Sequence, residues 1–251
     1  MRLILILIRF TLLLLCTGGM IVAILIIAPF SKKLIQETGR KIWCYCLINF
    51  TGAKLEIHGE KPNRKDLNNT IIVSNHISWL DTLVLLSLYF VRFIGKVEML
   101  KWPALRGLIK AGDTILINRK NKRTLPELNH FVANILENGA LIGLYPEGTT
   151  SDGKTILPFK APLLEAAIIA KSQILPIVIS YCKNGNELAN EVTFKKTGWF
   201  KAVFNTVALK DLVIRVDILS IVKSSEFENR DELAKHLYTT ISDKYISNFK
   251  K

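Results

Sequence analysis

Thr70-Ile71-Ile72-Val73-Ser74-Asn75-His76-Ile77-Ser78-Trp79-Leu80-Asp81-Thr82-Leu83-Val84-Leu85-Leu86 carries the reading of the fold. The short apolar run at 70–74 predicts a strand. The polar residues after it predict a turn, and the pattern from Trp79 predicts a helix over 79–90. The same alternation runs outward in both directions. Strands are expected at 54–58, 91–95, 114–118, 140–145, 174–180 and 212–219. Helices are expected at 99–110, 125–138, 161–171 and 229–247. The helix at 125–138 is punctuated: Thr124 and Glu127 form a capping box, Pro126 suits the first turn and Gly139 ends it. Alternating strands and helices imply an α/β fold, with a mostly parallel sheet flanked by helices. The stretch 183–210, rich in Lys, Asn and Gly, is expected to be less regular.

The N-terminus is of another kind. From Phe10 to Phe30 there are 21 residues without a charge, about the length that crosses a hydrocarbon core. The run is long for a signal peptide and no clear A-x-A site follows it. Residues 32–50 look amphipathic and aromatic, as in an interfacial helix packed beside the first. Residues 1–50 are therefore read as a membrane anchor of one helix or a helix pair, and 51–251 as the catalytic domain. Lys32, Lys33, Arg40 and Lys41 follow the apolar run and place the domain on the cytoplasmic face. Gly18-Gly19 and Pro29 are able to bend the helix, so spanning the bilayer and lying in one leaflet both stay open.

The chain has 251 residues and a formal net charge of +13. Nine Lys/Arg against Glu98 and Asp113 fall between Arg92 and Arg123. A solvated basic face, an anionic membrane surface, an acidic carrier and a phosphate-bearing substrate all fit such a cluster. The four cysteines make no zinc pattern and no disulfide framework, which suits a reducing compartment.

Three polar clusters follow three predicted strands: Asn75-His76 after 70–74, Asn118-Arg119 at the end of 114–118, and Pro146-Glu147-Gly148 after 140–145. In an open parallel sheet, ligand sites form beyond the carboxyl ends of the strands. The three clusters would then share one edge. His76 and Asp81 are five residues apart, which on a continuous helix separates them by about 140°. They meet only if His76 lies on the turn and Asp81 in the first turn of the following helix. Ser78-x-x-Asp81 is itself a capping-box pattern and supplies that junction. Asp81 can then accept from His76 Nδ1–H and fix the tautomer that leaves Nε2 free.

Asn75-His76-Ile77-Ser78-Trp79-Leu80-Asp81 resembles the first motif of the glycerolipid acyltransferase family, typified by 1-acyl-sn-glycerol-3-phosphate acyltransferases. Gly112-Asp113-Thr114-Ile115-Leu116-Ile117-Asn118-Arg119 is similar to the second motif, Tyr145-Pro146-Glu147-Gly148-Thr149 to the third and Ile174-Leu175-Pro176-Ile177 to the fourth. The resemblance implies an O-acyltransferase of phospholipid biosynthesis. An acyl chain would pass from acyl-CoA or acyl carrier protein to the hydroxyl of a lysolipid, 1-acyl-sn-glycerol-3-phosphate first among them. His76 and Asp81 would be catalytic; Lys96, Arg119, Glu147, Gly148 and Thr149 would bind substrate. Glu147 would orient the acceptor or brace Arg119, and backbone N–H groups around Gly148-Thr149 would hold the oxyanion. The family implies no cofactor and no metal. Three departures stand out: Tyr145 where the third motif has Phe, Thr150 where it has a phosphate-binding Arg, and Asn118 where the second motif often has Asp. The run Glu147–Gly153 is similar to a subset that includes lyso-ornithine lipid and lysophospholipid acyltransferases, which makes a lyso-ornithine lipid or another lysophospholipid the alternative acceptor.

Two rival readings come from other classes. Gly148–Thr155 matches G-x4-G-K-[ST], a nucleotide-binding loop, but Pro158 and Pro162 fall where its helix should begin. A non-enzymatic basic protein binding lipid or nucleic acid is the other, but no aromatics interleave with the basic run to stack bases, so no nucleic-acid partner is expected.

Overall fold

A computed structural model describes residues 2–101, 103–117, 125–193, 195 and 198–250. Helix α1 (Arg2–Ile27) opens the chain. It begins well before Phe10 and runs through Gly18-Gly19, and it stops ahead of Pro29, which has no N–H to continue the ladder. A turn α2 (Lys32–Leu34), a π-helical turn at Ile35–Gly39 and helix α3 (Arg40–Phe50) follow without a break.

Strand β1 (Lys54–His58), strand β2 (Thr70–Ser74), helix α4 (Leu80–Leu88), strand β3 (Arg92–Lys96), helix α5 (Pro103–Ala111), strand β4 (Ile115–Ile117), helix α6 (Leu125–Glu137) and strand β5 (Leu141–Leu144) then alternate as expected. After the short α7 (Glu165–Ile169) comes the long strand β6 (Gln173–Lys183), then β7 (Glu187–Leu188), helix α8 (Trp199–Ala208), β8 (Val213–Ile218), β9 (Val222–Lys223) and helix α9 (Arg230–Ser247). The sheet order is β1-β8-β6-β2-β5-β3-β4, with β7 and β9 added to β6. From β6 through β2, β5 and β3 to β4 every pairing is parallel, while β6 meets β8 antiparallel. Thr70–Ser74 is buried throughout, because a central parallel strand is covered on both faces.

Two expectations change. The helix over 161–171 is shorter: a 3-10 turn at Ala161–Leu163 precedes α7, and Lys171 takes a positive φ of 48° that ends it. The described residues of 183–210 hold more regular structure than the composition suggests. Asn184 and Gly185, both at positive φ, turn β6 back into β7, which is the Asn-Gly hairpin signature. Helix α8 follows, burying Ala202, Val203, Thr206 and Val207. Its solvent side carries Phe200 and Phe204, so the apolar stripe is blurred in the sequence.

The N-terminal helices are docked on this body. Ile6 and Leu13 of α1 join the main core, and Cys44, Leu47 and Ile48 of α3 are buried within it. Most of α1 stays uncovered: in an 18-residue apolar window within Leu3–Ile27, only 17% is buried. By length and composition this helix is able to cross a membrane.

Candidate active site

Strands β2, β4 and β5 are parallel neighbours or next neighbours, so their carboxyl ends share one edge of the sheet. Asn75 leaves β2 with its side chain bonded twice to the next strand: Nδ2 donates to Ile179 O at 2.9 Å, and Oδ1 accepts from Ile179 N–H at 2.8 Å. This pins the turn on which His76 sits. The His76 backbone is gripped from the loop after β5. Its N–H donates to Glu147 Oε1 at 2.6 Å, and its carbonyl accepts from Ser151 N–H at 2.7 Å. The imidazole stacks on Tyr145, centroids 4.2 Å apart and planes 12° from parallel. Phe93 stacks behind Tyr145 at 5.6 Å. Gly143 makes room for that ring, since a Cβ there would lie 2.6 Å from Phe93.

His76 Nδ1 lies 2.8 Å from Asp81 Oδ2. The carboxylate of Asp81 is fully buried and fully engaged. Oδ2 also accepts from the N–H groups of Ile77 at 2.6 Å and Ser78 at 2.8 Å, and Oδ1 accepts from the Tyr181 hydroxyl at 2.6 Å. With the Asp81 carboxylate fixed as an acceptor, His76 Nδ1 is the donor and Nε2 is the free nitrogen. Half of the expected capping box forms. Asp81 reaches back to the Ser78 N–H, but Ser78 Oγ accepts from Leu80 N–H at 3.3 Å rather than from Asp81, and donates to Val192 O at 3.0 Å.

His76 opens onto a cleft of about 990 Å³. Lys96, Gly148, Thr149, Thr150 and Lys160 line its polar part, and Ile94, Leu116, Leu128, Phe131 and Leu163 line an apolar part. The five expected residues His76, Asp81, Lys96, Gly148 and Thr149 thus gather here. Arg119 and Asn118, together with Thr124, lie outside the described residues. Glu147 does not face the cleft: it is buried, and its second oxygen accepts from Leu157 N–H at 2.9 Å. It ties the His76 turn to the segment around Leu157 instead of contacting an acceptor. Gly148 N–H bonds to Tyr145 O at 3.0 Å and so is spent on its own turn. Downstream of Gly153 no helix begins until the 3-10 turn at Ala161, which removes the nucleotide-loop reading.

A family profile described as Acyltransferase matches residues 54–180, just over half of the chain, and includes His76, Asp81, Tyr145, Glu147 and the polar lining of the cleft. The chain belongs to the acyltransferase family. A 1-acyl-sn-glycerol-3-phosphate acyltransferase of Neisseria meningitidis is 29% identical over 187 residues, 73% of each chain. A lyso-ornithine lipid O-acyltransferase of Rhizobium meliloti is 34% identical over 143 residues, covering 54% of this chain and 47% of that protein. Among solved structures, the 1-acyl-sn-glycerophosphate acyltransferase PlsC of Thermotoga maritima superposes with a TM-score of 0.74 over 98% of this chain and 97% of its own, at 20% identity. That likeness shows a shared fold.

Several residues of this acyltransferase's site escape a reading of the sequence. Tyr181 sits 100 residues beyond Asp81 and meets it only because β6 pairs with β2. Tyr145 orients the imidazole, although only its place in the third motif drew notice. Lys160 reaches the cleft because its N–H bonds to Pro146 O at 2.9 Å, which lays its side chain against Gly148. Gly148 has φ 70°, and a Cβ there would stand 3.2 Å from Lys160 Nζ.

Burial pushes the Glu147 carboxyl up from 4.5 to about 7, against the pull of its bonds to the Leu157 and His76 N–H groups. The folded protein therefore keeps this proton at pH values where the unfolded chain has released it. The stability linked to it is full below about pH 4.5 and is lost as pH rises through about 7. Glu147→Gln lacks this titration. The stability gap between wild type and Glu147→Gln is expected to shrink by on the order of 3 kcal/mol between those pH values. Denaturant unfolding at each pH measures it, and a gap that does not move contradicts the assignment.

Proposed function

We propose that this acyltransferase moves a fatty acyl chain from the thioester of acyl-CoA or acyl carrier protein to the free hydroxyl of a lysolipid. The acceptor we favour is 1-acyl-sn-glycerol-3-phosphate, with phosphatidic acid as product. The observation that carries the reading is the 2.8 Å contact from His76 Nδ1 to a buried Asp81, beside a cleft lined by Lys96 and Lys160 and by apolar side chains. His76 Nε2 takes the proton of the acceptor hydroxyl as its oxygen attacks the thioester carbonyl. The tetrahedral intermediate collapses, the C–S bond breaks, and the departing thiolate takes the proton from His76. The Thr149 N–H, which bonds to nothing among the described residues, is offered to the oxyanion in place of Gly148. Lys96 and Lys160 hold the anionic headgroup as point charges, and the apolar lining takes acyl chain. The donors are cytoplasmic molecules, and the basic residues after α1 favour a catalytic face on that side.

Thr150 favours the second acceptor, a lyso-ornithine lipid or another lysophospholipid, because its short neutral side chain supplies no phosphate contact. Labelled acyl-CoA offered with each lysolipid separates the two: a phosphatidic acid product supports the first reading, and esterified lyso-ornithine lipid alone replaces it. Lys160→Met is expected to raise KM for the phosphate acceptor about tenfold, with kcat within about threefold, the behaviour of a group that binds ground and transition states alike. An unchanged KM removes Lys160 from the headgroup site.

A further inference from the structure

Helix α8 presents Trp199, Phe200 and Phe204 at 49%, 67% and 48% exposure, while its other side is buried. Phe200 and Phe204 are one helical turn apart and form a single apolar strip. Exposed Lys195, Lys201 and Lys210 lie along and beside the helix. Its C-terminal end is tied to α1: Arg9 Nη1 donates to Val207 O at 2.8 Å and Leu209 O at 2.6 Å, carbonyls that a helix end leaves unpaired. Gly52 admits the guanidinium, since a Cβ there would stand 2.0 Å from Arg9 Nη2. A bilayer that takes up the uncovered apolar face of α1 therefore has α8 fastened beside it.

We propose that α8 is a second membrane-seated element, lying in the boundary between headgroups and acyl chains of an anionic bilayer through Phe200 and Phe204. The aromatic strip supplies buried area and the lysines supply attraction to anionic lipid, the two terms that hold an interfacial helix. The location has a consequence for the catalytic turn. Trp199 meets Trp79 edge-on at 6.3 Å, Ser78 Oγ donates to Val192 O, and Thr193 Oγ1 donates to Ser151 O at 2.8 Å. The segment that enters α8 is thus bonded to both loops that hold His76. Contact with lipid at α8 steadies the turn from which the acceptor, itself a membrane lipid, is attacked.

Benzoylphenylalanine placed at position 200 or 204 of the full chain, in vesicles of phosphatidylethanolamine and phosphatidylglycerol, tests the proposal without relying on acyl transfer. Irradiation should give phospholipid adducts on the α8 peptide, at least about fivefold above the same label at exposed Lys235 of α9. Adducts no higher than at Lys235, or cross-links to a second copy of the chain, overturn it. A Phe200→Ser, Phe204→Ser double variant should lose about tenfold in activity on an acceptor embedded in vesicles while keeping its rate on a monomeric short-chain acceptor. Equal loss on both acceptors reveals a folding role and overturns the proposal.

Discussion

His76→Ala is expected to slow acyl transfer by about 10³-fold, with KM for either substrate within a few-fold of wild type. A positioned general base contributes about 10²–10⁴ in rate, and among the described residues no other imidazole lines the cleft. The fold should survive. The imidazole is partly exposed and its removal ends one stacking contact with Tyr145, worth about 0.5–1.5 kcal/mol. Asp81 keeps three of its four donors: Ile77 N–H, Ser78 N–H and the Tyr181 hydroxyl. Steady-state kinetics beside a melting curve separates the two effects. A rate within tenfold of wild type would sink the assignment of His76 as base.

Asp81→Asn should produce the second largest effect, a fall of about 10²–10³ in kcat in a protein that still folds. The amide oxygen replaces Oδ2 and still receives the Ile77 and Ser78 N–H groups. The amide nitrogen then faces Tyr181, whose hydroxyl turns from donor to acceptor. The shape of the turn is kept, but the negative charge opposite His76 is lost, so the imidazolium formed as the acceptor gives up its proton is no longer stabilised. Loss of charge-assisted bonds should cost about 1–3 kcal/mol of stability. Asp81→Ala is a different experiment. It strands two buried N–H groups and a buried hydroxyl, and is expected to cost about 3–5 kcal/mol. An Asp81→Asn enzyme with normal kcat, or one that fails to fold, would mean that the carboxylate serves the turn and not the histidine.

The contrast between these substitutions reflects how much of the site is local. His76, Ser78 and Asp81 lie within six residues, and a strand, a turn and a helix start are visible there as residue types. Their meeting needed only the geometry of a helix N-terminus. Glu147 had no such local context. A carboxylate after a strand reads equally as a ligand for substrate or a brace, and only the backbone N–H groups of His76 and Leu157 on either side of it choose the second. Gly148 is a similar case: its N–H closes its own turn, so the proposed oxyanion role falls to the Thr149 N–H. Helix α8 went unread because Phe200 and Phe204 extend its apolar residues beyond the buried stripe. That excess of exposed aromatic surface is the feature that gives it a second use.

Order along the chain was enough to establish an α/β body, the apolar N-terminal helix, the strand ends that share an edge, and the His76–Asp81 pair. All of these rest on periodicity, turn chemistry or spacing, which act over a few residues. Tertiary structure alone decided which groups surround that pair. Tyr181 came from β6, four connections further along the chain yet paired with β2, Tyr145 and Glu147 from the loop after β5, Lys160 from beyond a proline-bounded segment, and Arg9 from the N-terminal helix onto α8. Parallel sheets place sequence-distant loops side by side, so the environment of a catalytic residue is set by crossovers whose partners no short stretch of sequence names.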